Sequence, residues 1–290
     1  PIRVKDNYSL MSGVGIAPEG GDTDPVVYSL MAEMNWRNEA VDVQEWLKGY
    51  AKRRYGAENY ENERKEIDAV WDIARRTWYS NSPHEGPSQS IINAYPTIEG
   101  AKARYWGTND KDYRANMGLF VSLWENLLAA AEKIDLEQCP QFEYDLIDFT
   151  RQIICDLSDS VYKNITDGYK AGDKEKFLAN GQLMVDLCYG LDELLATNEH
   201  FMLGARLEGA RNRGITPEDK HYYEETERTF LTYWAPDNAA PGGLRDYCNR
   251  DLSGLMKDYY GYRWNEFNKI LQEAAAQSQL PSLNEFKGSA

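Results

Sequence analysis

The amino-acid sequence predicts a mainly α-helical protein, a multi-helix bundle preceded by one short strand–loop–helix unit. Apolar side chains recur every three to four positions along most of the 290 residues, which is the spacing of a buried helix face. These stretches alternate with loops rich in Gly and Pro, and such alternation is typical of a helical bundle.

The strand–loop–helix unit occupies residues 10–37. Residues 10–17, LMSGVGIA, are a short apolar run that ends at Pro18 and a Gly-rich turn, which is typical of a buried strand followed by a loop. Asp24 and Pro25 then match the N-cap and first position of a helix. Because a lone strand leaves its backbone groups unpaired, this unit indicates a sheet to which the strand belongs.

Seven further helices are predicted after this unit. A long polar loop, residues 80–108, and a Pro/Gly-rich loop, residues 235–243, interrupt them. Loops longer than about a dozen residues are often functional. The predicted helices run over about 41–55, 63–79, 112–134, 142–169, 174–196, 216–234 and 244–277.

Composition excludes several classes of function. The chain carries 32 basic and 47 acidic residues, a net charge of −15, and no cluster of Lys and Arg, so nucleic acid is not an expected partner. No apolar stretch approaches the roughly 20 residues of a membrane helix, and the first residues resemble no signal peptide, so neither membrane insertion nor a targeting segment is predicted.

No metal or cofactor is expected. The four cysteines form no CxxC pair, and their spacing favours buried thiols over a zinc site or a disulfide scaffold. The sequence also contains no HExxH, no Gly-rich phosphate loop and no GxSxG.

Aromatic residues are abundant, with 8 Trp, 20 Tyr and 8 Phe. Their rings either present faces on which a sugar stacks or fill the interfaces between helices.

Three places in the chain could carry chemistry. Glu19 follows the predicted strand, at the edge where α/β barrels hold catalytic residues, but it also fits a solvated turn. His84 lies in the long polar loop, where a solvated imidazole is the plain alternative. Four residues, Trp234, Leu244, Asp246 and Tyr247, flank the Pro/Gly-rich loop and either line a cleft or form a capping aromatic cluster.

Several long blocks of the sequence are distinctive. They are GVGIAPEGGDTDPVVYSLMAEMNWR from residue 13, YAKRRYG at 50–56, YDLIDFTRQ at 144–152, LDELLATNEHFMLGARLE at 191–208, LTYWAPDN from 231 and LRDYCNRDLSGLMKDYYGYRW ending at 264. In the same order along nearly the whole chain, these blocks resemble glycoside hydrolase family 89, the α-N-acetylglucosaminidases, and the first block corresponds to the family's nucleophile region.

The resemblance implies a division of the chain into two parts. Residues 1–38 would be the last strand and helix of a catalytic (β/α)8-type barrel, which accounts for the isolated strand. Residues 39–290 would be an all-helical C-terminal domain that lines the active site.

The resemblance also implies an activity and its residues. Family members are retaining exo-glycosidases that release terminal α-linked N-acetylglucosamine, and Glu19 matches the nucleophile. His84, Trp234, Leu244 and Tyr247 match residues that contact the sugar, although an Ala-Ala-Pro insertion near 239–241 departs from the family pattern.

The partners that the resemblance implies are a glycan and the remainder of the barrel. The family's acid/base glutamate lies on an earlier strand than the one before Glu19, and the 18 residues upstream do not hold it. We therefore expect the chain alone to be inactive. The resemblance implies a secreted, periplasmic or lysosomal location, and the acidic charge favours neutral glycans over sulfated chains.

Two rival hypotheses belong to other classes. The first is a helical carbohydrate-binding or scaffold module without catalysis, which the aromatic content and long loops fit. The second is a purely structural bundle, in which His84, Trp234 and Tyr247 would not converge.

Overall fold

The structure, a computed structural model, is mainly helical. It describes residues 10, 12–16, 25–79, 90–98, 101, 117–232, 234, 246 and 248–282. Helix accounts for 73 % of it, which confirms the predicted fold class. The described residues contain no strand, only one isolated parallel β-bridge between Met202 and Ser253.

Ten α-helices lie in the described ranges, together with 3-10 turns at 91–93 and 199–201 and a π-helical segment, Met256–Gly261. In these ranges no helix has the length and apolarity to cross a membrane. The α-helices are α1 Pro25–Met34, α2 Val43–Tyr55, α3 Ala57–Asn62, α4 Arg64–Arg76, α5 Met117–Ala131, α6 Pro140–Ala171, α7 Lys174–Leu195, α8 Leu203–Arg211, α9 Pro217–Leu231 and α10 Tyr262–Ala276.

The chain divides into two compact units. The first unit comprises residues 1–76 and 121–148, and the second comprises 77–120 and 149–290.

The first unit has an aromatic core. Tyr50 stacks on Trp46 with ring centroids 5.3 Å apart and meets Trp71 edge-on at 5.4 Å. Helix α2 begins where the Asp42 side chain accepts two hydrogen bonds from first-turn amides, and it ends at Gly56, whose φ of +85° suits glycine.

This unit also contains a buried ion pair. Arg54 donates from Nε and Nη2 to Asp145, at 2.5 and 2.7 Å, and the Tyr55 hydroxyl donates to the same carboxylate at 2.7 Å. Burial acts to lower the pKa of Arg54, but the hydrogen bonds to Asp145 and the negative charge of that carboxylate together outweigh it and raise that pKa. Asp145 is therefore fully engaged in a structural role.

The second unit packs around buried Trp residues. The Trp78 ring stacks on Phe120 at 5.4 Å, and its Nε1 donates to Asp156 at 2.8 Å. Helices α7 and α10 pack against each other, and α10 buries Trp264 and Phe267. The core of this unit therefore includes both rings and paired polar groups.

Most helix predictions are confirmed. The helix that Asp24 and Pro25 predicted begins at Pro25, and the helices predicted for 41–55, 63–79, 142–169, 174–196 and 216–234 agree within three residues at each end. The helix predicted for 112–134 ends at Ala131, and its predicted start lies outside the described residues.

The strand expected at 10–17 is not formed in the part of that segment that the structure describes. Residues 12–16 have no regular secondary structure, and their side chains are exposed. An extended segment becomes a strand only by pairing with a neighbour, and among the described residues none pairs with it.

The long last helix predicted from Leu244 is wrong, because the described chain from 248 to 254 is not helical and the π-helical segment begins only at Met256. The Asp192 carboxylate accepts hydrogen bonds from the backbone N–H groups of Gly254, at 2.6 Å, and Lys257, at 3.0 Å. This side chain, from α7, caps the segment at its observed start.

A close approach explains the glycine at position 261, where the π-helical segment ends and α10 follows. A Cβ atom there would lie 2.8 Å from the Met256 carbonyl oxygen and 2.8 Å from the Tyr189 ring. Any larger residue would collide with both, so glycine is required.

All four cysteines are buried and free, as their spacing favoured. Burial raises the pKa of the Cys155 thiol well above its usual value, so this group stays protonated at neutral pH. The four residues are Cys139, Cys155, Cys188 and Cys248.

We predict that Thr216→Ala lowers the free energy of unfolding by about 1 kcal/mol, because Thr216 is the N-cap of α9. Its hydroxyl accepts from the Asp219 amide at 3.1 Å, and the Asp219 carboxylate accepts from the Thr216 amide at 3.0 Å. Urea unfolding followed by circular dichroism measures the change. Thr216→Ser keeps the hydroxyl and should unfold like the parent; an equal loss in both variants would contradict the cap.

Candidate functional site

The structure describes one of the five predicted site residues. Trp234 is described, whereas Glu19, His84, Leu244 and Tyr247 lie outside the described residues. The site is therefore built from Trp234 and from the described residues that flank the other candidates in sequence.

Trp234 follows the end of α9. Its ring lies 4.4 Å from the ring of Phe230, at 34°, and the side chain is half-buried. Its backbone adopts φ +59°, and its N–H donates to the Thr229 carbonyl at 2.6 Å. A left-handed conformation costs a bulky residue roughly 1–3 kcal/mol, so the surrounding contacts have to impose it.

A backbone hydrogen bond joins Thr232 to Asp246. The Asp246 N–H donates to the Thr232 carbonyl at 2.6 Å, so these two residues, which precede and follow positions 233–245 in sequence, are in direct contact. Asp246 also has φ +59°, a conformation that Asp adopts more readily than most residues.

The buried carboxylate of Asp246 is held by Arg263 and Tyr259. Arg263 donates from Nη1 to Oδ2 at 2.8 Å and from Nη2 to Oδ1 at 3.1 Å, and the Tyr259 hydroxyl donates to Oδ1 at 2.9 Å. The guanidinium also lies over the Tyr259 ring, 4.0 Å from its centroid. Because two parallel donors fit one carboxylate, this contact fixes orientation as well as distance.

Electrostatics favour the charged form of Arg263. Burial acts to lower its pKa, but the hydrogen bonds to Asp246 and the negative charge of that carboxylate together outweigh that effect and raise the pKa. The neighbouring Tyr260 is buried, and its burial, with the charge of Asp246 nearby, raises the pKa of its hydroxyl well above the usual value. Neither group titrates near neutral pH, so neither exchanges protons there.

A second set of contacts joins this region to the segment that follows His84 in sequence. The Asn93 amide donates to Asp251 at 2.8 Å and to the Asn249 side-chain oxygen at 3.3 Å, and Arg151 donates to Asp251 at 2.5 Å. The Arg263 guanidinium lies 5.5 Å from the ring of Tyr95. Residues 90–98 and 246–251 are thus tied together.

The segment 90–98 is held in place at its start as well. The Ser90 side chain caps a 3-10 turn by accepting from the Ile92 N–H at 3.2 Å. The buried indole of Trp264, on α10, donates to the Ile92 carbonyl at 2.8 Å. Helix α10 therefore anchors this segment through Trp264 and Asp246 through Arg263.

We call these residues the anchor cluster: Asn93, Tyr95, Arg151, Asp246, Asn249, Asp251, Tyr259 and Arg263. The carboxylates of Asp246 and Asp251 are each paired with a guanidinium, so the cluster supplies rigidity rather than a proton donor or nucleophile. Within the part of the chain that the structure describes, no three His, Cys, Asp or Glu residues are placed to hold a metal ion.

Except for Asp246, the sequence analysis missed the residues of the anchor cluster. Their signal was the run LRDYCNRD at 244–251, where two Asp and one Asn occur in a region whose spacing predicted a helix.

Comparison with known proteins identifies relatives over nearly the whole chain. The family model described as the α-N-acetylglucosaminidase (NAGLU) C-terminal domain matches residues 46–289. Human α-N-acetylglucosaminidase is 33 % identical over 273 residues, which cover 93 % of this chain and 34 % of the human protein.

Solved structures of family 89 glycoside hydrolases also match nearly the whole chain. A family 89 glycoside hydrolase from Clostridium perfringens in complex with PUGNAc is 29 % identical and superimposes with a TM-score of 0.86 over 99 % of this chain. A second structure from that organism, holding GlcNAc-α-1,4-galactose, is 30 % identical with the same score. The chain covers 32 % of each, so it spans about a third of the length of these relatives.

We predict that Asp251→Asn destabilises the protein by about 3 kcal/mol, because Arg151 would lose the charge that compensates its burial. Thermal or urea unfolding measures the loss. Glu266→Gln is the matched control, since Glu266 pairs with Lys269 on the exposed face of α10 and its removal should cost less than about 0.5 kcal/mol. Equal effects of the two substitutions would show that Asp251 is not a buried counter-ion.

Proposed function

Because the chain belongs to the family of α-N-acetylglucosaminidase C-terminal domains, we propose that it is the C-terminal portion of a retaining exo-α-N-acetylglucosaminidase. The observation that carries the proposal is the family match along residues 46–289. The C. perfringens structure with GlcNAc-α-1,4-galactose supports the substrate class, a glycan that ends in α-linked N-acetylglucosamine.

The proposal assigns two roles along the chain. Residues 1–38 are the last strand and helix of the catalytic barrel, and residues 39–290 are the helical domain that lines the active site. The start of the family's C-terminal domain model at residue 46 supports this division, and the chain covers about a third of each relative.

In the proposed reaction, the Glu19 carboxylate attacks the anomeric carbon and forms a covalent glycosyl-enzyme. A second carboxylic acid, from the rest of the barrel, protonates the departing glycosidic oxygen. The same group then deprotonates the water that releases the sugar. In retaining enzymes the two carboxyl groups lie about 5 Å apart, on opposite faces of the sugar.

His84, Trp234, Leu244 and Tyr247 hold the N-acetylglucosamine ring in this proposal. Trp234 supports the assignment, because its ring is half-buried and is braced by Phe230. A braced indole offers a flat apolar face to a sugar, and a fixed sugar lowers the entropic part of the barrier. The anchor cluster supports the assignment of His84 and Tyr247, since it ties together segments next to both.

The proposal extends to glycan class and location. The net charge of −15 disfavours sulfated chains, and the disaccharide in the C. perfringens structure is uncharged, so neutral glycans fit better. We place the enzyme in a secreted, periplasmic or lysosomal compartment on the family resemblance.

The alternative is a carbohydrate-binding or scaffold module without catalysis. The observation that favours it is the aromatic content, together with the half-buried ring of Trp234. Under this alternative the chain would bind N-acetylglucosamine by itself.

We predict that a polypeptide carrying this chain together with the rest of the barrel releases aryl alcohol from an aryl α-N-acetylglucosaminide. Glu19→Gln should lower kcat by about a thousandfold or more, because an amide is not a nucleophile here. Absorbance of the released alcohol measures turnover. Glu45→Gln, at an exposed carboxylate on α2, should keep full activity. Full activity of Glu19→Gln would overturn the assignment of the nucleophile.

The 290-residue chain alone should give no turnover, and titrating it with N-acetylglucosamine should leave its Trp fluorescence nearly unchanged. Half of a pocket retains little of the binding energy, since affinity depends on contacts from both sides. Tight binding by the isolated chain would favour the module. Turnover that Glu19→Gln abolishes would show that the chain holds both carboxylates.

A further inference from the structure

We propose that Asp246 and Arg263 are positioning residues for sugar binding, an inference that rests on the function proposed above. Asp246 directly precedes Tyr247 in sequence, and its N–H binds the carbonyl of Thr232, two residues before Trp234. Neither side chain is proposed to touch the sugar.

The first argument is the number of independent contacts that converge on Asp246. Its N–H binds the Thr232 carbonyl, its carbonyl accepts from the Asn249 side chain at 2.9 Å, and its carboxylate accepts from Arg263 and Tyr259. Together these contacts determine both the position and the left-handed conformation of one residue.

The second argument is that the same pair is connected to the other predicted sugar-binding segment. The Arg263 guanidinium lies beside Tyr95, in the segment that follows His84 in sequence. Asn93 contacts Asn249, which contacts Asp246. A change at Asp246 or Arg263 should therefore disturb the segments next to both Tyr247 and His84.

The loss of a purely structural ion pair would lower stability without affecting sugar binding. The chain contains such a pair for comparison. In the first unit, Arg54, Asp145 and Tyr55 repeat the same chemistry, a bidentate Arg and a Tyr hydroxyl on one buried carboxylate. The side chains in both pairs are similarly buried. Asp145 flanks none of the predicted sugar-binding residues, so substitutions there report the cost of losing such a pair and nothing more.

The test compares Asp246→Asn with Asp145→Asn in the enzyme that carries this chain together with the rest of the barrel. Asn tolerates the left-handed conformation, so Asp246→Asn removes the charge while the backbone remains allowed. We expect the KM for an aryl α-N-acetylglucosaminide to rise about tenfold, with kcat within about threefold, because an ordered binding segment is lost and the nucleophile is untouched. Asp145→Asn should lower thermal stability similarly and leave KM within about twofold.

Tyr259→Phe is a second, milder variant that keeps the ion pair and removes one hydrogen bond to Asp246. We expect this variant to raise KM about threefold. It also provides a test of the proposal if Asp246→Asn fails to fold. An unchanged KM in Tyr259→Phe and in any folded Asp246→Asn, or an equal rise in Asp145→Asn, would overturn the positioning role. An inactive parent enzyme would instead reject the proposed function and the positioning role with it.

Discussion

The ion pair between Arg263 and Asp246 is the interaction on which the second unit's irregular region depends. Two charges removed from water are tolerated only when each is paired and its remaining polar groups are satisfied. Here the pairing is bidentate, a Tyr hydroxyl completes it, and the ring of Tyr259 lies against the guanidinium. Because the bidentate contact restricts both distance and orientation, the segments that carry Asp246 and Arg263 have one favourable arrangement relative to each other.

Contacts at helix ends connect this ion pair to the rest of the second unit. The Asp192 carboxylate, from α7, fixes where the π-helical segment begins, and Gly261 allows that segment to pass close to Tyr189 before α10 starts. Helix α10 then presents Arg263 in its first turn. The same helix contributes Trp264, whose indole holds residue 92. One helix start thus anchors both segments next to the predicted sugar-binding residues.

The family relationship gives these contacts a functional context. An exo-glycosidase has to orient one terminal sugar precisely, since a small displacement of the anomeric carbon is costly to catalysis. Loops alone are poor supports for such precision because they lack regular hydrogen bonding. A buried polar cluster beneath the loops supplies fixed points, which is the role we assign to the anchor cluster.

The sequence by itself determined most of the helices, the class of fold and the family. Apolar periodicity and the Asp24–Pro25 start are local signals, and local signals suffice when packing agrees with them. The sequence also pointed to five site residues, of which the structure describes Trp234. Only the tertiary structure decided the conformation of residues 248–254, where the spacing predicted a helix and the chain is not helical. This segment is held by Asn93 and Asp192, which lie far away in sequence, and no local pattern contains the energy of such contacts.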